Sequence, residues 1–545
     1  MIAIMEPNRK RMMINQRSQM NYIQLIKDIF KNNSKRTFII ESQTGRSLSY
    51  EDFYHIAFRT AIDLKSKNIK KHDRVALLLN NSVEFAALYF ACLFIGVVVM
   101  PINPSLHRRE IDFIVSYSRP NLILYSPSTE KLMNDIIDWS GPSKVIIPLN
   151  ENIQSSEVMG SFRATEKFLS FHSTWEPLCD VEDNDLLSVH FTSGTTGQPK
   201  GVMHRIGALM GNALAFNNEY GITRKNRFLH VLPMSYMAGF LNTILSPFIA
   251  EASIVLSRQF DATSAIRFWN PAIKYEADTF WLTPTILSIL NRIDRSKEGP
   301  TYCKEKVSNI FIGTAALPLK TKNEFERKYG IEVFESYGLS EVLFVSANSK
   351  RYPRIRGSVG RILDDVKIKI CDETGEPLPI GVDGEILLKT PFATSGYLNY
   401  RTLMSEIAGE NGWFLTGDIG HIDAEKNLFI TARKKDLIIR GGLNISPRAI
   451  EETMLAHPDI EQIAVVGLPD EVQGEEIVAV ILLKAGREPA VVQPSINDFC
   501  RKELSMTATP SRYVFMDRLP VGITGKIQKA KIVELLLSGK SDDKE

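Results

Sequence analysis

At 545 residues the chain exceeds what a single hydrophobic core can serve, so two or more domains are expected. Its 65 basic and 63 acidic residues nearly cancel and form no block of like charge, which argues against nucleic acid and anionic membrane surfaces as partners. Five cysteines, Cys92, Cys179, Cys303, Cys371 and Cys500, lie far apart without a Cys-x-x-Cys pair, arguing for a reduced compartment and against a disulfide framework or zinc site.

Residues 1–20 mix Arg9, Lys10, Arg11 and Arg17 with methionine and asparagine and lack an apolar signal core. A frayed segment on a cytoplasmic protein is expected. A strand is predicted over residues 74–79, a helix from Val83, a turn at Gly96 and a strand over 97–102. The apolar run through 85–100 falls short of the roughly 20 residues that cross a bilayer, so no integral membrane association is expected. Strand-like runs recur at 121–125, 144–148, 186–190, 227–232, 253–256 and 309–312 between helical stretches, which predicts an α/β fold with mostly parallel sheets.

From Arg354 the texture changes to glycine-punctuated strands at 357–360, 366–370, 384–388 and 428–430, read as a small β subdomain. Beyond Asp436 a helix over 447–456, strands at 463–466 and 477–483 and a helix from Ile496 predict a small, mobile α+β domain. The expected organisation is a disordered 1–20, a large layered α/β domain over 21–434 with its β-rich part at about 354–433, a small C-terminal domain over 435–537, and a frayed 538–545.

The densest chemical signal follows the strand at 186–190. Thr192-Ser193-Gly194-Thr195-Thr196-Gly197-Gln198-Pro199-Lys200 combines glycines, which expose backbone N–H groups, with hydroxyls and a terminal cation. Such a loop suits a polyphosphate. Pro199 before the lysine and Gly201 after it depart from the P-loop of kinases and GTPases. A solvated linker is the alternative, but linkers seldom follow a buried strand directly.

This loop, together with Leu232-Pro233 through Gly239, Tyr337-Gly338-Leu339-Ser340-Glu341, Gly357 to Gly360, Gly412 to Asp418, Ala432-Arg433-Lys434-Lys435-Asp436, Gly441 to Ile445 and Gly525-Lys526-Ile527, resembles the adenylate-forming superfamily. That group comprises acyl-CoA synthetases, peptide-synthetase adenylation domains and luciferases, and the pattern is most similar to AMP-forming acyl-CoA synthetases. The resemblance implies attack of a carboxylate on the α-phosphate of ATP, giving an acyl adenylate and pyrophosphate, followed by displacement of AMP by a thiol.

The resemblance also implies roles. Thr192 to Gly197 and Lys200 would hold phosphates, Glu341 would hold Mg²⁺, and Lys526 would bridge the carboxylate and the α-phosphate. Asp418 and Arg433 would hold the ribose, while Tyr337, Ser336, Gly338, Ser340, Ala315 and Ala316 would surround the adenine. Lys435 matches the hinge, and Gly441-Gly442 the glycine pair beside the pantetheine arm. Taken singly, each has an ordinary reading: Glu341 and Lys526 as solvated charges, Asp418 with Arg433 as a local ion pair, Tyr337 as a core ring.

Tyr236 stands where the family most often has histidine, an aromatic gate to the acyl site without an imidazole. Ser340 replaces the usual threonine, Leu317 a common proline, and Ala432 a glycine. Neither Ser235 nor Tyr236 can pair an α-ammonium, which disfavours amino acids, and the luciferase His-His-Gly-Phe signature is absent. The expected acyl lining is Tyr236, Met237, Phe240, Trp281, Thr283 and the Ala315 region, suited to a fatty or aryl acid. ATP, Mg²⁺ and coenzyme A are the implied reactants and cofactors. Transfer to a carrier-protein phosphopantetheine is the alternative, and a non-catalytic nucleotide-binding relative is a third reading.

Overall fold

The computed structural model describes residues 20–134, 146–148, 177–192, 199–399, 408–409, 412–522 and 527–538. The long apolar run forms helix Val83–Phe94, a left-handed Gly96 (φ 63°) and strand Val98–Ile102. Ser82 caps the helix by accepting the Phe85 N–H, and Phe85 through Phe94 are all buried, so the helix lacks a polar face because it is enclosed. No described helix is long and apolar enough to cross a membrane.

Among the described residues the strands form three sheets. The first sets Ile146–Pro148, Leu122–Tyr125, Arg74–Leu78, Val98–Ile102 and Leu186–Thr192 in parallel and closes with Lys200–Arg205 antiparallel. The second has a parallel half made of Phe334–Leu339, Asn309–Ile312, Thr279–Leu282, Arg227–His230, Ser253–Leu256 and Thr37–Glu41. A tight reversal through Leu343 (φ 60°) starts its antiparallel half, Leu343–Ala347, Ser358–Ile362, Asn427–Arg433, Trp413–Ile422, Gly384–Lys389 and Lys367–Cys371. The glycine-punctuated stretch is therefore hydrogen-bonded onto the parallel half. Phe334–Leu339 is the strand where the sheet changes sense.

Residues beyond 437 carry their own sheet and core. Hairpin Ile460–Asp470 with Gly474–Leu483 pairs with Ile438–Arg440 and Arg512–Phe515, and Ile438, Ile450, Met454, Ile463, Ile477 and Ile496 pack together. The last predicted helix begins earlier than Ile496: it spans Pro489–Glu503, with Pro489 in its first turn and Pro494 inside it at an exposed position. Proline at the start costs no hydrogen bond, so the helix opens where a sequence reading sees a break.

The parallel strands aim their carboxyl ends at common ground. Asn103 and Thr192 follow or end strands of the first sheet, Pro233, Thr283 and Gly313 follow strands of the second, and Tyr337 lies within Phe334–Leu339, the last strand of its parallel half. In open parallel sheets this edge is where loops meet a ligand.

Candidate active site

Asp418 lies on strand Trp413–Ile422 directly across from Arg433 on Asn427–Arg433, which makes the two a cross-strand pair. Arg433 Nε stands 2.7 Å from Asp418 Oδ1. The Tyr337 hydroxyl donates to the other carboxylate oxygen, Oδ2. The Asp418 backbone N–H donates to Thr416 Oγ1 at 3.0 Å, and that hydroxyl donates to Ile386 O at 2.8 Å. The Asp418 side chain is only 2% exposed whereas that of Arg433 is 45% exposed, so the carboxylate is fixed and its cation partner faces solvent. Burial, reinforced by the Asp418 charge, pushes the Tyr337 phenol well above its ordinary range and keeps it a donor.

Glu341 is half-buried and accepts the Tyr397 hydroxyl at 2.7 Å on Oε1. The solvated-surface alternative for this glutamate does not fit that position. Tyr397 is held in turn: Thr394 and Ser395 bond to Met203 O, and the Met203 N–H donates to Gly396 O. Lys200 Nζ lies 5.5 Å from the centre of the Tyr397 ring. Tyr397 thus joins the Glu341 loop to the lysine of the phosphate loop. Sequence reasoning missed it; its one local signal is the Gly396-Tyr397 pair, with Gly396 at φ 118°.

Thr192 and Lys200 are register partners at the end of an antiparallel pair, so the phosphate-type loop spans a hairpin rather than a strand-to-helix turn. Ser193, Gly194, Thr195, Thr196 and Gly197 lie outside the described residues. Ser336 donates to Ile312 O at 3.1 Å, Ser340 follows Tyr337 on the same segment, and Ala315 and Ala316 are exposed on the loop after Asn309–Ile312. In that loop Thr314 adopts φ 73° with its buried Oγ1 unpartnered among the described residues. Such strain persists where surroundings impose it, commonly at binding sites. A Cβ on Gly338 would sit 2.2 Å from Leu343 O, so only glycine lets the chain double back beside Tyr337.

The acyl region differs from expectation in two places. Phe240 is 1% exposed and stacks on Tyr89 with ring centres 3.7 Å apart, and Trp281, also 1% exposed, packs on Phe216, Phe311 and Phe344. Both belong to the core, because the aromatic layer between the sheets absorbs their faces. Among the described residues the Trp281 indole N–H, beside Gly313, has no partner. Tyr236 and Met237 remain half-buried, and Tyr236 sits just before a π-helical turn over Ala238–Leu245, a distortion frequent at functional sites. Burial raises the Tyr236 phenol, with Asn103 beside it lowering it and Glu110 adding to the rise.

Lys435 is exposed in the short turn Lys434–Asp436 that leaves Arg433. Gly441 (φ 58°) and Gly442 (φ 78°) form the two-residue turn between Ile438–Arg440 and Leu443–Ile445, and a Cβ on either would meet nothing within 4 Å. Two successive positive φ values explain both glycines as hairpin-turn residues, without a close approach. Lys526 lies outside the described residues; its flanks Val521 and Ile527 pair antiparallel. No described trio of His, Cys, Asp and Glu side chains could hold a metal by itself.

Residues 27–398 match the family profile described as AMP-binding enzyme, and residues 449–526 that of the AMP-binding enzyme C-terminal domain. The chain is 30% identical over 503 residues to the long-chain-fatty-acid–CoA ligase FadD13 of Mycobacterium tuberculosis, covering 91% of this chain and 94% of that protein. It is 27% identical to the sulfoacetate–CoA ligase of Cupriavidus necator, with the same coverage of 91% and 94%. The crystal structure of ATP-bound MatB from Rhodopseudomonas palustris superposes with a TM-score of 0.83 at 26% identity, over 94% of this chain and 99% of that one.

Proposed function

The chain belongs to the AMP-binding enzyme family and is an AMP-forming acid–CoA ligase, and from that premise we propose that its substrate is a non-amino organic acid, fatty or aryl. The substrate carboxylate oxygen bonds to the α-phosphorus of ATP as the bond to the β-phosphate oxygen breaks, releasing pyrophosphate. The thiol of CoA then adds to the acyl carbon, loses its proton, and AMP leaves with the carboxylate oxygen.

The observation that carries the nucleotide part of this reading is the buried Asp418 carboxylate, held by Arg433 across its strand pair and by Tyr337 from the strand where the sheet changes sense. A fixed carboxylate accepts both ribose hydroxyls, and Arg433 at its open side offsets the charge. Tyr337, Ser336, Gly338 and Ser340 with Ala315 and Ala316 border the adenine. Thr192 to Gly197 and Lys200 take the phosphates. Glu341 suits Mg²⁺: a single carboxylate, one oxygen pinned by Tyr397, is what a hard cation uses when phosphate and water supply its other ligands. When bound, the cation offsets phosphate charge. Lys526 offsets charge between the two reacting anions.

The described acyl lining supports the substrate class. Tyr236, Met237 and Thr283 carry no charge of their own, which supports an acyl group without a second carboxylate or an α-ammonium. Lys435 is the proposed pivot between a large domain ending near 434 and a small one over 435–537, and the Gly441-Gly442 turn is proposed to meet the pantetheine arm.

The test is a panel of carboxylic acids given ATP, Mg²⁺ and CoA, with thioester and AMP measured by mass spectrometry. Thioester from a fatty or aryl acid supports the reading; adenylate that accumulates while CoA is ignored and a carrier-protein thiol is loaded overturns it. Lys526→Ala should cut ATP–pyrophosphate exchange by roughly a hundredfold or more.

A further inference from the structure

The segment beyond Lys435 touches the large domain in a second place, far along the chain from the pivot. Lys320, at the start of helix Leu319–Tyr329, donates from Nζ to Leu455 O at 2.9 Å and to Ile460 O at 3.2 Å. Leu455 ends helix Pro447–Met454, whose last carbonyls have no partner within the helix and carry the negative end of its dipole. Arg292, in the last turn of helix Pro284–Ile293, pairs with Glu461 on strand Ile460–Asp470. The Arg292–Glu461 contact borders a cavity of about 420 Å³ that Lys484, Arg487 and Phe515 also line. Nearer the pivot, Ser446 Oγ donates to Thr431 O at 2.8 Å and Arg448 Nη1 to Ile430 O at 2.7 Å, so these contacts between the segment and the large domain are polar. Such a seam separates at low cost.

The same arrangement leaves the Gly441-Gly442 turn in the open, with Ile439 55% and Leu443 52% exposed. A chain turning about Lys435 to bring that hairpin against the large domain would carry Leu455, Ile460 and Glu461 away from Lys320 and Arg292. We propose that Lys320 and Arg292 are positioning residues that clasp the C-terminal domain in the pose of the first half-reaction, and so set how the enzyme divides its time between adenylation and thiol transfer. This rests on the two-step reading above. Lys320 closes on two carbonyls at once, which makes it the stronger contact; Arg292, 65% exposed at its side chain, is the weaker.

The half-reactions can be measured apart: ATP–pyrophosphate exchange without CoA, and thioester formation from synthetic acyl adenylate and CoA without ATP. Lys320→Met with Arg292→Gln should slow exchange about three- to tenfold, while thioester formation from the adenylate stays level or rises. Lys320→Arg should restore most of the exchange. Equal changes in both half-reactions, or none in either, would overturn the proposal. A second readout does not need activity: fluorescent labels on cysteines placed at exposed Ile266 and Val491 report the distance between the domains. The double variant should broaden or shift that distance distribution, and an unchanged distribution would also overturn the clasp. Wild-type protein that exchanges with no acid would reject the two-step reading, and the distance measurement would still decide whether the clasp holds one pose.

Discussion

Replacing Asp418 by asparagine separates a nucleotide-binding carboxylate from a local ion pair. The substitution keeps shape and leaves an amide oxygen to accept the Tyr337 hydroxyl, so burial is unchanged and that contact persists. The Arg433 contact is lost, but that side chain is 45% exposed and its ion pair contributes only about 0–1 kcal/mol. Stability should therefore fall by about 1 kcal/mol, a shift of about one degree in melting temperature for a chain of this length. Binding should suffer more. A hydrogen bond to a charged acceptor is worth about 1 kcal/mol more than one to a neutral acceptor, and two ribose hydroxyls meet this group, giving about 2 kcal/mol, or roughly thirtyfold in kcat/KM for ATP. Pyrophosphate exchange against ATP concentration gives the catalytic term and thermal melting the structural one. An ATP dependence within threefold of wild type, with a lowered melting temperature, would reduce Asp418 to a structural ion pair.

Tyr397→Phe removes the donor to Glu341 without opening a cavity; exchange at limiting Mg²⁺ should fall about five- to thirtyfold with little change in melting temperature, and an unaltered metal dependence would deny Tyr397 its positioning role. Gly338→Ala places a Cβ 2.2 Å from the Leu343 carbonyl, so the reversal must shift; about 1–3 kcal/mol of stability and most ATP binding should be lost, as measured by urea unfolding and by ATP titration. His190, His204 and His230 are buried and held down to about 3 from an ordinary 6.5 by desolvation. They stay neutral in the fold while the unfolded chain takes up protons, so their contribution is whole above about 6.5 and is lost as pH falls toward about 3, by up to about 4 kcal/mol per unit for three protons. The urea midpoint should drop steeply between pH 7 and pH 5; a level midpoint would mean that the three rings are protonated when folded.

What the sequence disclosed, and what it hid, follows from the range of the forces involved. Alternating strands and helices are legible because periodicity and turn chemistry act within a few residues, and Val83–Phe94 with Gly96 and Val98–Ile102 appear where expected. Asp418 and Arg433 were named as partners only through resemblance; their pairing is made by register between strands Trp413–Ile422 and Asn427–Arg433, which no local pattern states. Tyr397 escaped for the same reason, since its meaning comes from Glu341 and Met203, which two different sheets bring to it. Phe240 and Trp281 were placed at the ligand because apolar character alone does not say which face is already covered. Lys320 is the extreme case: on its own helix it reads as a solvated cation, and it acquires a task only where a second domain presents the carbonyl that caps one of its helices and another that opens a strand. An enzyme that must hold two poses in turn needs such contacts to be weak, polar and distant from the pivot, where a small rotation breaks them completely; a sequence encodes that only as an ordinary lysine.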